Sequence, residues 1–357
     1  MRPLFITPVA VAAAAMLLGC TTIPVSGDPA VPVYAVAETA PVGTANEDAA
    51  DDPAIWRNAV DPAASLIVAT DKKGGLYVYD LTGSVRHFLS RPALNNVDLA
   101  QMPGADGGSE VIVFASDRSD LANAAIALFR LDTASGQLSE IATLPSGTGE
   151  AYGICGYRRG DDLIVYTAPK QGNIGEWRIT LSPAPGIEAL RMIQVPSQPE
   201  GCAVDPRDGT LYIGEEAGGI WRFAAGAVAG ELVAAVDNRN LVADLEGLAL
   251  VPEGADGGWL YASSQGDNTY MRYALPGMEP AGRFRIAAGR FGSTEETDGI
   301  EAQAGDFGSD FPGGLFIAQD GQNGARAQNF KIVPLGAVEE ALDAAAASGP
   351  PAAPDRD

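Results

Sequence analysis

The chain has 357 residues, enough for one large domain or two ordinary ones. Its formal net charge of −23 argues against nucleic acid and anionic lipid as partners, because both require a basic face. Bound metal ions could still reverse the local field and let an acidic protein hold a polyanion. The 43 glycines and 25 prolines are typical of many short strands joined by turns.

Residues 1–20 have the pattern of a targeting segment and are excluded from the fold. Arg2 supplies a positive charge, and the apolar run Leu4–Leu18 is too short for a comfortable membrane span. The end of this run, Leu17-Leu18-Gly19-Cys20, resembles the lipidation box of bacterial lipoproteins. We therefore expect export, with Cys20 as a lipid anchor to the outer membrane and as the only membrane contact, or a periplasmic or secreted product of ordinary cleavage.

Residues 21–44 are rich in Pro, Ala and Val without a helical period, which predicts a tether. A repeat then begins. A polar, usually acidic or amide, residue precedes a short apolar strand at six places, about 45 to 55 residues apart: Asp52-Pro53, Asn96-Val97, Tyr152-Gly153, Glu200-Gly201, Glu246-Gly247 and Asp298-Gly299. This period predicts an all-β, six-bladed β-propeller with a central channel over residues 45–336. Residues 337–357 are expected to form a short helix anchored by Leu342 and a disordered tail, and no dimer signal is visible.

The chain has a single histidine, His87. Its surroundings, together with those of the cysteines, exclude several classes of phosphatase. Arg86-His87-Phe88 breaks the Arg-His-Gly pattern of phosphohistidine enzymes, and no second histidine exists. Neither Cys155 nor Cys202 has the arginine six positions later that cysteine phosphatases require. A Ser-His-Asp triad would need His87, which falls on an expected outer strand.

In a propeller, the polar residues that precede the inner strands meet at one mouth of the channel. The acids expected there are Asp48, Asp51, Asp52, Asp98, Glu200, Glu215, Glu216, Asp244, Glu246, Asp298 and Asp320. Lys72, Lys73, Arg118 and Lys170 interleave with them at turns, and Tyr152 lies beside an inner strand. Carboxylates suit calcium, and the cations suit phosphate oxygens. The pattern therefore predicts a metal-bridged phosphate site in which two metal ions activate water without a protein nucleophile.

Several stretches resemble the β-propeller phytases, in the same order from about Asp48 to Pro334. They are Asp48–Trp56, Asp71–Leu76, Leu94–Asp98, Tyr152-Gly153, Glu200-Gly201, Glu215-Glu216, Asp244–Leu248, Ser263–Gly266 and Ala318–Gly321. The resemblance implies a six-bladed propeller that uses several calcium ions to hydrolyse phosphomonoesters of phytate, myo-inositol hexakisphosphate.

The resemblance also implies roles for single residues. Ligands of the calcium cluster at the cleavage site would be Asp51, Asp52, Tyr152, Glu200, Glu216 and Glu246, and further metal positions would be Asp48, Asp244 and Asp298. Phosphate would be held by Lys72, Lys73, Arg118 and Lys170, with Lys72 and Arg118 also contributing to catalysis. Asn95, Asp98 and Asp320 would hold structural calcium or tie blades together.

Two stretches depart from the family pattern. The segment Phe291–Glu296 lacks an Asp-Gly pair that members often carry before Asp298-Gly299, so one calcium site is expected to be altered. The surroundings of Lys170 match poorly, and its assignment rests on its spacing after Tyr152. Cys155 and Cys202 fall on inner strands of consecutive blades, where a disulfide and two buried thiols both remain open.

Other functions compete with a phytase. A calcium-containing propeller lactone hydrolase has no use for the cations beside the acids, and a propeller that only binds a partner leaves the acid clusters unexplained. A phosphoesterase with another phosphomonoester or nucleotide substrate keeps the same chemistry, and the sequence does not exclude it.

Overall fold

The computed structural model describes residues 25–104 and 107–348, and within them the chain forms six sheets. Two short strands come first, β1 (Val31–Val33) and β2 (Ala37–Glu38). Blade 1 follows with β3 (Ala50–Trp56), β4 (Leu66–Asp71), β5 (Gly75–Asp80) and β6 (Val85–Ser90). Blade 2 contains β7 (Leu94–Pro103), β8 (Ser109–Asp117), β9 (Asn123–Asp132) and β10 (Gln137–Thr148).

The later blades repeat this order. Blade 3 contains β11 (Gly153–Arg159), β12 (Asp162–Ala168), β13 (Asn173–Thr180) and β14 (Gly186–Gln194). Blade 4 contains β15 (Pro199–Val204), β16 (Leu211–Glu215), β17 (Gly219–Phe223) and β18 (Glu231–Ala235). Blade 5 contains β19 (Leu245–Glu253), β20 (Gly257–Ser264), β21 (Thr269–Ala274) and β22 (Glu279–Ile286), and blade 6 contains β23 (Ile300–Ala304), β24 (Gly314–Asp320) and β25 (Asn329–Pro334). The predicted six-bladed β-propeller is confirmed.

The N-terminal strands close the ring. β2 pairs antiparallel with β25 and becomes the fourth strand of blade 6, while β1 adds a fifth, parallel strand beside β22 in blade 5. The prediction that all of residues 21–44 form a tether was therefore wrong for this part of the segment. Blade 6 has only three strands of its own, and its outer edge would otherwise expose unpaired backbone groups.

Apolar contacts between neighbouring blades hold the propeller together. Six apolar clusters of the described residues each join two consecutive blades around the ring. The second strand of a blade is buried on both faces, as in the fully buried Leu66–Asp71, whereas the outer strand Val85–Ser90 is largely exposed. This difference explains why continuous apolar runs mark the second strands, as they do in sheets covered on both faces.

The single α-helix of the described chain, α1 (Leu335–Ser348), follows β25, and two short 3-10 helices lie at Pro62–Ala64 and Gln265–Asp267. Leu335, Val338 and Leu342 are buried and join the cluster between blades 5 and 6. The helix predicted around Leu342 is confirmed, and it begins two residues earlier than expected. Within the described residues, no helix is long and apolar enough to cross a bilayer. Cys20 and the expected disordered tail lie outside the described residues.

Inner strands approach each other closely where they begin. Gly153, Gly201, Gly247 and Gly299 each face the backbone carbonyl of the acidic residue that begins the next inner strand, respectively Glu200, Glu246, Asp298 and Asp51. The amides of Gly247 and Gly299 donate hydrogen bonds to these carbonyls, at 2.8 and 3.0 Å. A Cβ at any of the four positions would overlap the neighbouring strand. Packing thus requires the glycine that follows Tyr152, Glu200, Glu246 and Asp298 in the repeat.

Replacing Gly201 by alanine should destabilise the protein. The added methyl would collide with the carbonyl of Glu246 and the amide of Leu248, and overpacking of this kind costs about 1–3 kcal/mol. Urea unfolding followed by circular dichroism measures the change in unfolding free energy. Gly336→Ala is the matched control, because nothing lies near an added Cβ in that helical position. Equal stability of both variants would contradict the close approach.

Candidate metal and phosphate site

The candidate site occupies the face of the propeller where the inner strands begin, which we call the upper face. In β3, β7, β15 and β19 the pairing with the second strand shifts register at this end, between Ala50 and Pro53, Leu94 and Val97, Pro199 and Cys202, and Leu245 and Leu248. Such bulges re-aim side chains. The bulged positions are Asp51-Asp52, Asn95-Asn96, Glu200-Gly201 and Glu246-Gly247, so the strands themselves deliver polar groups to the upper face.

Three carboxylates form the densest group. Glu200, Glu216 and Glu246 each place one oxygen within 4.8 Å of the other two, and we call them the glutamate cluster. Glu200 and Glu246 begin inner strands, while Glu216 lies in the turn after β16. Oε2 of Glu246 is buried without a hydrogen-bond partner. An unpaired acceptor among like charges fits a hard cation, which prefers oxygen ligands.

The electrostatics of the glutamate cluster agree with this fit. Burial, followed by the charge of Asp51, raises the pKa of Glu200 to about 7. Burial and the charge of Glu200 raise the pKa of Glu246 well above its ordinary value. Burial also raises the pKa of Glu216. Without a cation, the cluster therefore resists full ionisation, and a bound divalent ion would reverse that tendency.

Lys72 occupies a second group of acids. Its Nζ lies 2.9 Å from Asp48 Oδ2, 3.1 Å from Asp51 Oδ1 and 3.0 Å from Asp298 Oδ2. Burial opposes the charge of this ammonium, but Asp51, Asp298 and Asp48 outweigh it and raise the pKa of Lys72. Gln265 Nε2 donates to the other oxygen of Asp298 at 2.8 Å. Lys72 thus neutralises acids instead of facing solvent as a free phosphate ligand.

Asn95 joins the two acidic groups. Its Nδ2 donates to Asp51 Oδ2 at 2.8 Å and to Glu200 Oε1 at 3.2 Å. Asn95 thus links blade 2 to blades 1 and 4, which is one of the two roles expected for it. No sequence motif marks a further hydrogen bond at the glutamate cluster, in which Gln198 Nε2 donates to Glu216 Oε1 at 2.6 Å.

Two of the four predicted phosphate-binding cations meet beside Tyr152. Arg118 and Lys170 both approach Glu150 Oε1, each at 3.4 Å, and Lys170 Nζ lies 4.4 Å from the centre of the Tyr152 ring. The poorly matched Lys170 is therefore placed where its spacing predicted. Burial and then the charges of Glu200 and Glu246 raise the pKa of Tyr152, so its phenol stays neutral beside the glutamate cluster. Lys73 is exposed at the turn next to Lys72.

Asp52 and Asp98 lie away from the glutamate cluster, in the wall of the central channel. Asp52 accepts from the Val97 amide at 3.2 Å, Asp98 accepts from the Gly156 amide at 2.8 Å, and both line a channel cavity of about 500 Å³ together with Glu301. The structure therefore places Asp52 in the channel and not in the cleavage-site cluster, where it was predicted. The bulge in β3 turns the adjacent Asp51 and Asp52 to different sides. Burial raises the pKa of Asp98 to about 7 and that of Glu301 to about 8.

Three other acids have distinct surroundings. Asp320 Oδ2 lies 3.0 Å from the buried Lys331 Nζ, and both residues belong to blade 6, so this ion pair lies within one blade and outside the glutamate cluster. Glu215 accepts from Ser197 Oγ and from Trp221 Nε1, at 2.5 and 2.8 Å, and so braces blade 4. Asp244 is exposed, and its charge raises the pKa of Glu216 after the larger effect of burial.

The segment that departs from the family pattern is held by direct hydrogen bonds. Gln322 Nε2 donates to Glu296 Oε2 at 2.6 Å, and the Gly321 amide donates to the Glu295 carbonyl at 2.8 Å. Of the two alternatives for Cys155 and Cys202, the structure contains the disulfide. His87 lies on the outer strand of blade 1.

The Phytase family profile matches residues 6–348 of the chain. The chain belongs to the phytase family. It is also 36% identical over 318 residues to a protein described as 3-phytase from Bacillus subtilis (strain 168), covering 84% of this chain and 83% of the relative. A chain from the crystal structure of the mitotic checkpoint complex covers 91% of this chain, with a TM-score of 0.49 and 11% identity. That likeness is too low to support any conclusion.

Replacing Lys72 by methionine should destabilise the calcium-free protein. The variant leaves Asp51 and Asp298 without their ammonium partner, and an uncompensated buried charge costs about 3 kcal/mol or more. Thermal unfolding in excess chelator measures the loss. Lys73→Met is the matched control, since Lys73 is the exposed neighbour on the same turn. If both variants melted at the same temperature, Lys72 would not neutralise the acids.

Proposed function

We propose that the protein is a calcium-dependent phytase, which hydrolyses phosphomonoesters of phytate and releases inorganic phosphate. Membership of the phytase family and the resemblance to a 3-phytase support the substrate. The observation that carries the calcium dependence is the glutamate cluster, with three carboxylate oxygens within 4.8 Å and a buried acceptor without a partner.

Charge explains why a metal would be needed. The substrate is a polyanion, and the protein carries a formal charge of −23. Glu200, Glu216 and Glu246, with Asp244 beside them, would repel a phosphate group. Calcium ions held by these residues would neutralise the repulsion and supply Lewis acidity for the attack of water on phosphorus.

The residues around the cluster would hold the substrate. Arg118 and Lys170 share Glu150, and an incoming phosphate would compete with that single carboxylate for both cations. The exposed Lys73 can reach a phosphate in solvent. The neutral phenol of Tyr152 can donate a hydrogen bond next to Glu200. The pair Arg118 and Lys170 and the single Lys73 would position different phosphates of the same inositol ring.

The competing functions have less support. A lactone hydrolase or a propeller without activity gives no role to Arg118, Lys170 and Lys73 beside the glutamate cluster. A phosphoesterase that acts on a different phosphomonoester would use the same residues. Measuring activity on several substrates distinguishes it from a phytase.

We further propose that the protein is exported as a monomer and anchored through a lipid on Cys20. The support is the sequence Leu17-Leu18-Gly19-Cys20 after a short apolar run.

The function is tested by measuring phosphate release from phytate by residues 21–357, with added calcium and then with excess chelator. We expect release with calcium and its loss with chelator. Parallel assays with a nucleotide and a sugar phosphate test the substrate. Release from these compounds but not from phytate would change the substrate, and undiminished release in chelator would refute the calcium dependence.

Glu216→Gln should abolish most activity while leaving the fold intact. Glu216 contributes an oxygen to the cluster and is only half-buried, so the amide should cost at least about tenfold in calcium affinity or activity, as with other metal-site changes. Activity and melting temperature are measured together. Glu215→Gln is the matched control: its carboxylate holds Ser197 and Trp221, so stability should fall more than activity. The reverse pattern would exchange the roles of the two residues.

A further inference from the structure

The disulfide between Cys155 and Cys202 crosses from one blade to the next. Cys155 lies on β11 and Cys202 on β15, and these strands belong to separate sheets. Their Cα atoms are 5.7 Å apart. Elsewhere in the described chain, neighbouring blades meet mainly through apolar side chains, so this bond is a covalent addition to the contact between blades 3 and 4.

Cys202 lies at the end of a bulge that carries a site residue. In β15 the regular pairing with β16 is lost after Pro199 and resumes at Cys202, which pairs with Ile213. Glu200 lies inside this interruption, where the ladder does not fix the backbone. The disulfide therefore fixes the first regularly paired residue after Glu200 to the neighbouring blade.

The other side of Glu200 also contacts blade 3. Gly153, two residues before Cys155, faces the carbonyl of Glu200 so closely that no Cβ fits. The backbone of Glu200 is thus placed relative to β11, the strand to which the disulfide attaches β15.

We propose that Cys155–Cys202 is a positioning element for the glutamate cluster and increases its affinity for calcium. The carboxylates of Glu200, Glu216 and Glu246 are crowded within 4.8 Å of one another, and without a cation to hold them together the bulge allows β15 to relax. The disulfide opposes that relaxation and keeps Glu200 at ligand distance. The inference rests on the proposed calcium binding and adds a role that a purely stabilising bond would not have.

The test compares calcium titrations by calorimetry of the wild-type protein and the double variant Cys155→Ala/Cys202→Ala, both lacking residues 1–20. We expect the variant to bind calcium at the cluster about threefold to tenfold more weakly. Loss of a residue that orients a metal ligand typically lowers metal affinity about tenfold or more, and this indirect effect should be no larger than that. Adding Glu246→Gln, which disables the cluster, should remove the difference between the two backgrounds. Leu342→Ala is the control for stability alone, because Leu342 is a buried residue of α1 that packs in the apolar cluster of blades 5 and 6 and takes no part in the glutamate cluster. It should lower the melting temperature without changing calcium affinity.

Unchanged calcium affinity in the double variant, with a lower melting temperature, would overturn the proposal and leave the disulfide a structural bond. If the double variant does not fold, the same titration is made on wild-type protein after reduction in its calcium-loaded state and removal of reductant and calcium. Equal affinity of the reduced and oxidised forms would likewise refute it. A wild-type protein that binds no calcium yet releases phosphate would overturn the proposed metal dependence together with this inference.

Discussion

The close approach of inner strands at the upper face is the constraint on which the rest of the structure depends. Each of four glycines lies against the carbonyl of the acidic residue in the next blade, and a larger residue would separate the blades. Three of these glycines directly follow Glu200, Glu246 and Asp298, which supply carboxylates of the upper face. Ring closure and site assembly therefore use one repeated sequence element, because the residue that points to the channel mouth is followed by the residue that allows close packing.

The acidic mouth requires compensating charge, and the chain supplies only part of it. Lys72 neutralises Asp48, Asp51 and Asp298, and Asn95 donates to both Asp51 and Glu200. No comparable cation lies among Glu200, Glu216 and Glu246 in the described part of the chain, and one oxygen there remains unpaired. A buried acceptor without a partner is costly. The glutamate cluster is thus suited to binding an added cation.

The six-fold repeat could be predicted from the sequence because every blade must bury the same type of strand. Glu200 and Glu246 could be predicted because they recur at equivalent positions, and Glu216 was marked by the resemblance to the β-propeller phytases. The different direction of Asp52 could not, since a bulge changes the alternation of side chains without a distinctive sequence signal. The use of β1 and β2 to close the ring was missed for another reason. These strands are very short, and their pairing partners lie at the other end of the chain. Gln198 and Glu150 act through contacts that no motif marks.

A crystal structure at saturating calcium, with anomalous scattering used to locate the ions, tests the account most directly. The account predicts an ion among Glu200, Glu216 and Glu246, at the distances of about 2.3–2.6 Å typical of calcium and oxygen. Ions bound elsewhere, with the three glutamates empty and their side chains turned apart, would contradict it.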